Sequence, residues 1–362
     1  MKFVHLADLH LDSKFGSLAQ IEGMAEKRRL EQRDAIKEVI EYIKLNNIEL
    51  FIIAGDLYEQ NYIRKSSIEY INSLFKEIPN AQIVIAPGNH DPYIKNSFYN
   101  TYNWAPNVHI FKGEIEKFDF KDIHIYGFGF IDFYCKESKL EKIKIEEPND
   151  INILVVHGTL DAAKDYTNNR DYNPIKKEII QKLGFDYVAL GHVHKPLYKI
   201  EPNQKICYSG SCLSLGFDEL GQHGILVGNI DKDNVEIQFK PIDKREFQEI
   251  KIDISEMISN EDIIEKLRGL ELVEENFYKI VLTGKRFFTI DIDEIIKLNE
   301  RKNIIKIKDF TAVGVDIEEL KTRTDIKGIL VKRLLERKEK ENISEEDIEK
   351  AIEIGLEVLK WK

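Results

Sequence analysis

The sequence of 362 residues has little cysteine, no long apolar run and no low-complexity stretch. Its three cysteines, Cys135, Cys207 and Cys212, are too few for a disulfide framework, so a reducing compartment, the cytoplasm, is expected. No apolar stretch reaches the roughly 18 residues of a membrane span, and the N-terminus lacks the pattern of a signal peptide. We therefore expect no membrane association.

A basic excess is also absent. The chain has 53 Lys and Arg against 64 Asp and Glu, which gives a formal net charge of −11. Any contact with nucleic acid must therefore use local patches or metal ions, because there is no general positive field. A composition that is 43% hydrophobic and 32% charged excludes a disordered chain, and the length predicts about two domains.

Short apolar strands alternate with amphipathic helices in the first half of the chain. Helices are predicted over about 25–44 and 66–76, between the first three strands. This alternation predicts an α/β fold with a largely parallel sheet. The predicted strands are 3–7, 50–54, 82–86, 123–126, 151–156 and 187–190.

The second half has a different pattern. Strands at 205–208, 224–228 and 235–239 are predicted to be antiparallel. Residues 246–310 then alternate strands with two helices, and Ser259 is the candidate N-cap of the first helix. Two further helices are predicted, over about 325–340 and after Ser344.

The chemistry-bearing residues fall where predicted strands end. In an open α/β sheet, ligands bind beyond the carboxyl ends of the strands, so these residues are expected to meet at one edge of the sheet. The five short motifs are Asp8-Leu9-His10, Gly55-Asp56, Gly88-Asn89-His90-Asp91, His157-Gly158 and Gly191-His192-Val193-His194.

These residue types suit two divalent transition metal ions. A mixture of imidazole and carboxylate favours Mn, Fe or Zn over Mg or Ca, which prefer oxygen ligands. Asp8 and His10 lie on one face of an extended segment, and His192 and His194 do the same. If Asp8 and Asp56 are the only charged ligands, two ions retain about +2, which can bind a phosphodiester.

The ordered set of five motifs resembles the calcineurin-like metallophosphoesterases. The opening segment 3–11 and the segment 54–58 are most similar to the DNA-repair exonuclease branch, with its bacterial SbcD- and YhaO-type nuclease subunits. The resemblance implies a β-sandwich flanked by helices, with a small α/β cap and C-terminal helices. It divides the chain into a nuclease domain (1–243), a cap that could contact DNA (244–315) and C-terminal helices (316–362).

The resemblance also implies a ligand set for two metal ions, with Mn²⁺ as the expected ion. Asp56 would bridge the ions together with a hydroxide that attacks phosphorus. The first ion would be held by Asp8, His10, Asp56 and His194, and the second by Asp56, Asn89, His157 and His192.

Three residues beside the ligands are candidate catalytic groups. By resemblance, His90 would contact the scissile phosphate and protonate the departing 3′-oxygen. Asp91 could orient the His90 ring or cap the loop. Glu59 stands where some members of the branch have a histidine, and it could accept a hydrogen bond from His90 or face solvent.

The implied activity is a 3′→5′ exonuclease acting on double-stranded DNA ends in double-strand break repair. The alternatives are another phosphoesterase of this fold (a phosphoprotein phosphatase or cyclic-nucleotide phosphodiesterase) and a non-catalytic scaffold. Implied partners are DNA, an SMC-like coiled-coil ATPase of the SbcC type docked on the C-terminal helices, and a second copy of the chain through segment 58–75. The candidate DNA contacts in the cap are Lys285, Arg286, Arg301 and Lys302.

Overall fold

The computed structural model describes residues 1–18, 21–161, 172–232, 234–314, 317–341 and 343–359. Two compact units divide the chain, Met1–Phe247 and Gln248–Lys362. The three predicted domains subdivide the chain further and stay a prediction. Within the described ranges, no helix combines the length and the apolar character needed to cross a membrane.

The first unit contains thirteen of the strands and four of the α-helices in the part of the chain that the structure describes. In chain order they are β1 (Lys2–Leu6), α1 (Met24–Leu45), β2 (Leu50–Ile53), α2 (Lys65–Lys76), β3 (Gln82–Ile85), α3 (Phe98–Thr101), β4 (Val108–Ile110), β5 (Glu116–Phe120), β6 (Ile123–Gly127), β7 (Ile151–His157), β8 (Thr159–Leu160), β9 (Pro174–Ile175), α4 (Lys177–Leu183), β10 (Tyr187–Gly191), β11 (Ile206–Tyr208), β12 (Gly224–Ile230) and β13 (Val235–Pro241).

Two mixed sheets form the centre of this unit. One has the strand order β13-β12-β1-β2-β3-β4, and the other has the order β11-β10-β7-β6-β5. In the first sheet β1 to β4 are parallel, while β12 and β13 form an antiparallel hairpin beside β1. All six strands predicted in the first half are present, and so are both predicted helices.

The two sheets pack face to face because their strands are apolar on both sides. Leu50 and Ile52 of β2 belong to the core between the sheets, together with Ile153 of β7. Phe51 and Ile53 point the other way and belong to a core that includes residues of α1 and α2. Side chains alternate along a strand, so such runs supply two cores at once. The predicted β-sandwich flanked by helices is confirmed.

One strand differs from its prediction. The strand at Ile206–Tyr208 is predicted to be antiparallel, yet β11 pairs in parallel with β10 at the edge of the second sheet. A parallel pair usually has a helix in its connection, and helical periodicity in the sequence reveals it. The connection between β10 and β11, residues 192–205, has no such periodicity, which is why the prediction is wrong. The hairpin of β12 and β13 is antiparallel as predicted.

The second unit holds a group of helices and a small sheet of three strands, β14 (Phe247–Asp253), β15 (Phe277–Thr283) and β17 (Ile304–Asp309), in the order β14-β15-β17. Ser259 caps the first helix as predicted, since its hydroxyl accepts from the backbone N–H of Asp262. Leu320, Val331, Ile348 and Ile352 form the core of the terminal helices. The elements are β14 (Phe247–Asp253), α5 (Asn260–Arg268), β15 (Phe277–Thr283), β16 (Lys285–Arg286), α6 (Ile292–Leu298), β17 (Ile304–Asp309), β18 (Ala312–Val313), α7 (Ile317–Thr322), α8 (Ile326–Glu341) and α9 (Glu345–Val358).

A buried ionic network ties α1 to the segment after β13. The Arg28 guanidinium, fully buried, donates to the carboxylate of Asp243 at 2.6 Å and to that of Glu31 at 2.8 Å. Glu31 also accepts from Arg245. Burial raises the pKa of Glu31, but the hydrogen bonds from Arg245 and Arg28 outweigh it and hold this pKa below its ordinary value.

Replacing Glu31 with Gln is expected to lower the free energy of unfolding by about 1.5–3 kcal/mol at neutral pH, since hydrogen bonds to a charged group are lost. A lowered folded-state pKa contributes stability above the unfolded pKa of glutamate, and this contribution is lost as pH falls through the folded value. Urea unfolding of both proteins over a pH series should show the difference shrinking below pH of about 4.5. Exposed Glu141 is the matched control: Glu141→Gln should change the free energy of unfolding by less than about 0.5 kcal/mol.

Candidate metal centre

The chemistry-bearing loops meet at the carboxyl ends of both central sheets. Asp8 and His10 follow β1, Asp56 follows β2, and Asn89 follows β3, all in the first sheet. His157 ends β7, and His192 and His194 follow β10, both in the second sheet. The expectation of a single sheet edge is therefore wrong, because the strands divide between two stacked sheets whose edges coincide.

The backbone of these loops is strained at the candidate ligands. Asp8, His10 and Asp56 have φ angles of 51°, 48° and 52°, and His192 has a φ of 102°. Such values are uncommon for residues other than glycine and concentrate at functional sites. Backbone hydrogen bonds hold the first two loops together: Asp8 N–H donates to Gly55 O at 3.1 Å and His10 N–H donates to Asp56 O at 2.9 Å.

Two glycines permit the close approach of the loops. A Cβ atom on Gly191 would lie 1.9 Å from the carbonyl oxygen of Ala54, which belongs to the other sheet's edge. A Cβ atom on Gly88 would lie 2.3 Å from Oδ1 of Asp56. Any larger residue at either position would push a candidate ligand loop away from the cluster.

Ligand atoms of Asp8, His10 and His194 form one group that could hold an ion. The Nε2 atoms of His10 and His194 are 3.1 Å apart, and Nε2 of His194 lies 4.0 Å from Oδ1 of Asp8. A second group, Asp8, Asp56 and His157, has Nε2 of His157 at 3.3 Å from Oδ2 of Asp56. Asp56 also lies 3.7 Å from Nε2 of His10, so its carboxylate stands between the two groups.

Asn89 and His192 complete the cluster. The side-chain oxygen of Asn89 lies 3.0 Å from Nε2 of His157 and 3.2 Å from Nδ1 of His192. All seven residues predicted as metal ligands therefore lie in one cluster. A third group, His10, Asp56 and His90, also meets the distance requirement for an ion.

The other ring nitrogen of three histidines is already engaged. Nδ1 of His157 donates to the carbonyl oxygen of Ala54, while Nδ1 of His10 and of His194 face carboxylates of Glu59 and Glu219 at 2.8 and 2.6 Å. In the neutral form of the imidazole, which is the form that binds a metal ion, the Nε2 atom then carries a lone pair. The Nε2 atoms of His10 and His194, 3.1 Å apart, can therefore both be ligands of one ion, so these residues fit a metal ion.

The charges of the cluster also favour cations. Burial raises the pKa of Asp8, while Asp56 keeps a pKa below its ordinary value because His157 and His10 outweigh its burial. Burial lowers the pKa of His157, yet the carboxylates of Asp56 and Asp8 more than compensate and raise it to about 9. Two fully buried carboxylates thus favour positive charge at the centre of the cluster.

Glu59 links a candidate ligand to the candidate acid. One carboxylate oxygen accepts from Nδ1 of His10, and the other accepts from Nδ1 of His90 at 3.1 Å. Of the two alternatives for Glu59, the structure has the hydrogen bond to His90. Burial lowers the pKa of His90, but the hydrogen bond to Glu59 and the charge of Asp56 outweigh it and raise this pKa to about 9.

Asp91 caps the loops instead of orienting His90. Its carboxylate, fully buried, accepts hydrogen bonds from the backbone N–H groups of Asp56, Leu57 and Gly88 and from the Tyr99 hydroxyl. Among the described residues no hydrogen bond joins it to the His90 ring. Asp91 therefore acts on His90 only through its charge, and it fixes the backbone on which Asp56 is presented.

Two further residues that contact the histidines, Glu219 and Tyr172, were not predicted from the sequence. Glu219, with 14% of its side chain exposed, holds His194 and also accepts from Ser211 and from the backbone N–H of Leu215. The ring of Tyr172 lies against His192 with the centroids 5.0 Å apart. Glu219 follows no strand of the first half and belongs to no motif, so nothing in the sequence marks it.

Replacing Glu219 with Gln is expected to weaken metal binding by about 10- to 100-fold, because His194 loses the carboxylate that fixes its ring. Calorimetric titration of the metal-free protein with Mn²⁺ measures this affinity. The exposed Glu141→Gln variant should bind Mn²⁺ as the unchanged protein does. Equal affinity in the Glu219→Gln variant would contradict a supporting role.

The cations proposed for the cap are mostly engaged locally. Lys285 pairs with Glu349, Arg286 lies 3.7 Å from Asp309, and Arg301 donates to the carbonyl oxygen of Arg268. Exposed Lys302 has no such partner among the described residues. Three of these four residues therefore already have a partner on this chain, and their contact with DNA stays a prediction.

Comparison with known proteins agrees with this geometry. The family model for calcineurin-like phosphoesterases matches residues 1–196. The uncharacterized metallophosphoesterase YhaO of Bacillus subtilis (strain 168) is 23% identical over 293 residues, which cover 78% of this chain and 69% of YhaO. The SbcD component of the nuclease SbcCD of Staphylococcus epidermidis (strain ATCC 12228 / FDA PCI 1200) is 27% identical over 338 residues, 83% of each chain.

Proposed function

This chain belongs to the calcineurin-like phosphoesterase family of metal-dependent hydrolases, and from that premise we propose that it is a DNA exonuclease. It hydrolyses phosphodiesters at double-stranded ends with 3′→5′ polarity and acts in double-strand break repair. The observation that carries the proposal is the cluster of seven candidate ligands with His90 at its rim. The nuclease assignment is supported by the similarity to the SbcD component of SbcCD.

Two Mn²⁺ ions are the proposed cofactor. The first would be held by Asp8, His10, Asp56 and His194, and the second by Asp56, Asn89, His157 and His192. When bound, such ions polarise the phosphoryl oxygens and lower the pKa of a bound water. Asn89 and the imidazoles are neutral ligands, so the site retains positive charge for a phosphodiester anion.

His90 is the proposed general acid. Its Nδ1 atom is held by Glu59, so the ring presents Nε2 to the substrate, and 44% of its side chain is exposed. From Nε2 it donates a proton to the departing 3′-oxygen as the phosphorus–oxygen bond breaks. Glu59 is a positioning residue, because it fixes the ring planes of both His10 and His90.

An ATPase of the SbcC type is the proposed partner. The relative from Staphylococcus epidermidis is by its name one component of a two-component nuclease, SbcCD. The terminal helices α8 and α9 leave Ile326, Ile329, Ile354 and Val358 more than half exposed, which supports docking of another protein there. Pairing of two copies through segment 58–75 and a DNA contact in residues 244–315 also stay predictions.

The test is cleavage of an end-labelled linear duplex with Mn²⁺ and with EDTA. Bis(p-nitrophenyl) phosphate and a phosphomonoester are assayed in parallel. Shortening of the duplex from its 3′ ends that requires Mn²⁺, with little turnover of the monoester, is the expected result. Rapid turnover of a small ester with intact DNA would instead favour a phosphatase or cyclic-nucleotide phosphodiesterase, and no turnover of any substrate would favour a scaffold.

A further inference from the structure

A positively charged cavity of about 570 Å³ lies in the first unit. Its walls come from the two loops that leave the metal cluster and from the first turns of α1. Asp12 follows His10 by two residues and Asn61 follows Glu59 by two residues. These loops are joined, since Leu11 and Tyr58 form a bridge and Glu59 N–H donates to Leu11 O at 3.1 Å. The cavity is therefore built on the same two loops as the metal cluster.

Four cations line this cavity: Lys14, Arg29, Arg33 and Arg64. Arg33 is neutralised by Asp12 at 2.9 Å. The other three have no ion pair among the residues that the structure describes. Exposed Glu26 is the second acidic residue of the lining, so the cavity keeps an excess of about two positive charges in a chain whose net charge is −11.

The rim of the cavity is ordered by specific contacts. The Asp12 carboxylate, only 8% exposed, accepts from the Ser67 hydroxyl at 2.6 Å and from the backbone N–H of Arg64 at 3.2 Å. The ammonium group of Lys14 lies 4.2 Å from the ring centroid of Tyr62. Asp12 is thus occupied in fixing the loop, which leaves Lys14, Arg29 and Arg64 available to an anion.

We propose that this cavity binds a backbone phosphate of the DNA strand outside the metal cluster. The inference rests on the proposed function in one respect, that the ligand is DNA. The choice of this cavity rests on its uncompensated positive charge. Guanidinium groups match phosphate oxygens with paired hydrogen bonds, which makes arginine suited to this ligand. Because the cavity and the metal cluster share two loops, a strand held here is positioned relative to the site of cleavage.

The test measures binding of a short dye-labelled duplex to the EDTA-treated protein, so that no cleavage occurs. Arg29→Glu/Arg64→Glu is expected to weaken binding by about tenfold or more, and to reduce the slope of log K against log salt by about 1.8, or about 0.9 for each lost contact. Arg29→Gln/Arg64→Gln should change binding in the same direction. The matched control is Lys76→Glu/Lys182→Glu, which reverses two exposed charges outside the cavity and should have at most a small effect.

Thermal melting checks that each variant is folded, and calorimetry with inorganic pyrophosphate tests for a small phosphate ligand. Binding of the duplex by both cavity variants as tightly as by the unchanged protein would overturn the proposal, and so would failure of the unchanged protein to bind the duplex. If the cavity variants lose pyrophosphate binding but still bind the duplex normally, the cavity belongs to a small phosphate ligand, and this result would also overturn the proposal. Failure of the nuclease proposal would appear separately, as intact DNA in the Mn²⁺ assay.

Discussion

Replacing His90 with Asn is expected to lower kcat for DNA cleavage by about 10²–10⁴-fold while two Mn²⁺ ions still bind. The reason is that Asn has no ring nitrogen that can protonate the departing oxygen. The seven candidate ligands that surround the two ion positions do not include His90. Calorimetric titration with Mn²⁺ and single-turnover cleavage of the duplex measure the two quantities separately.

The matched control for this variant is His124→Asn. His124 faces Asp119 at 2.7 Å and belongs to none of the groups of described residues that could hold an ion. The His124→Asn variant should cleave DNA at nearly the rate of the unchanged protein. Full activity of His90→Asn would remove His90 from the mechanism. Loss of a Mn²⁺ ion in this variant would instead make His90 a ligand, as its group with His10 and Asp56 permits.

Much of the site could be predicted because its residues follow strands that are easy to recognise. The run Leu50–Ile53 is apolar on both faces, so its end, and with it Asp56, could be located within one or two residues. Parallel strands present their carboxyl ends together, which places Asp8, Asp56 and Asn89 near one another without any knowledge of side-chain contacts. The apolar pattern of each strand is enough to locate its carboxyl end, without knowledge of the rest of the fold.

The features that could not be predicted depend on contacts between segments that are far apart in the sequence, and periodicity does not encode such contacts. The division into two sheets is set by which apolar faces pack together, and the parallel edge strand Ile206–Tyr208 follows from that packing. Glu219 reaches His194 across 25 residues of sequence from a loop without a motif. Asp91 could be assigned to loop capping only once Asp56, Leu57 and Gly88 were seen to donate to its carboxylate.

Replacing Asp56 with Asn is expected to reduce Mn²⁺-dependent hydrolysis by more than about 10³-fold, with at most one ion bound. Asp56 lies 3.3 Å from Nε2 of His157 and 3.7 Å from Nε2 of His10, so its carboxylate serves both candidate ion positions. A neutral amide supplies only one weak oxygen ligand and leaves the two ions with less opposing charge. Calorimetry gives the number of ions, and hydrolysis of bis(p-nitrophenyl) phosphate gives the rate.

The control for this variant must also remove a buried carboxylate, because neutralising one can disturb the fold. Asp186, 6% exposed, accepts from the backbone N–H of Asn152 at 2.9 Å and pairs with Lys232. In the part of the chain that the structure describes, it belongs to no candidate ion group. Asp186→Asn is expected to lower the melting temperature while keeping two ions and the unchanged rate. Two ions and a normal rate in Asp56→Asn would show that no carboxylate is shared between the ions, and the ligand set would have to be redrawn around Asp8.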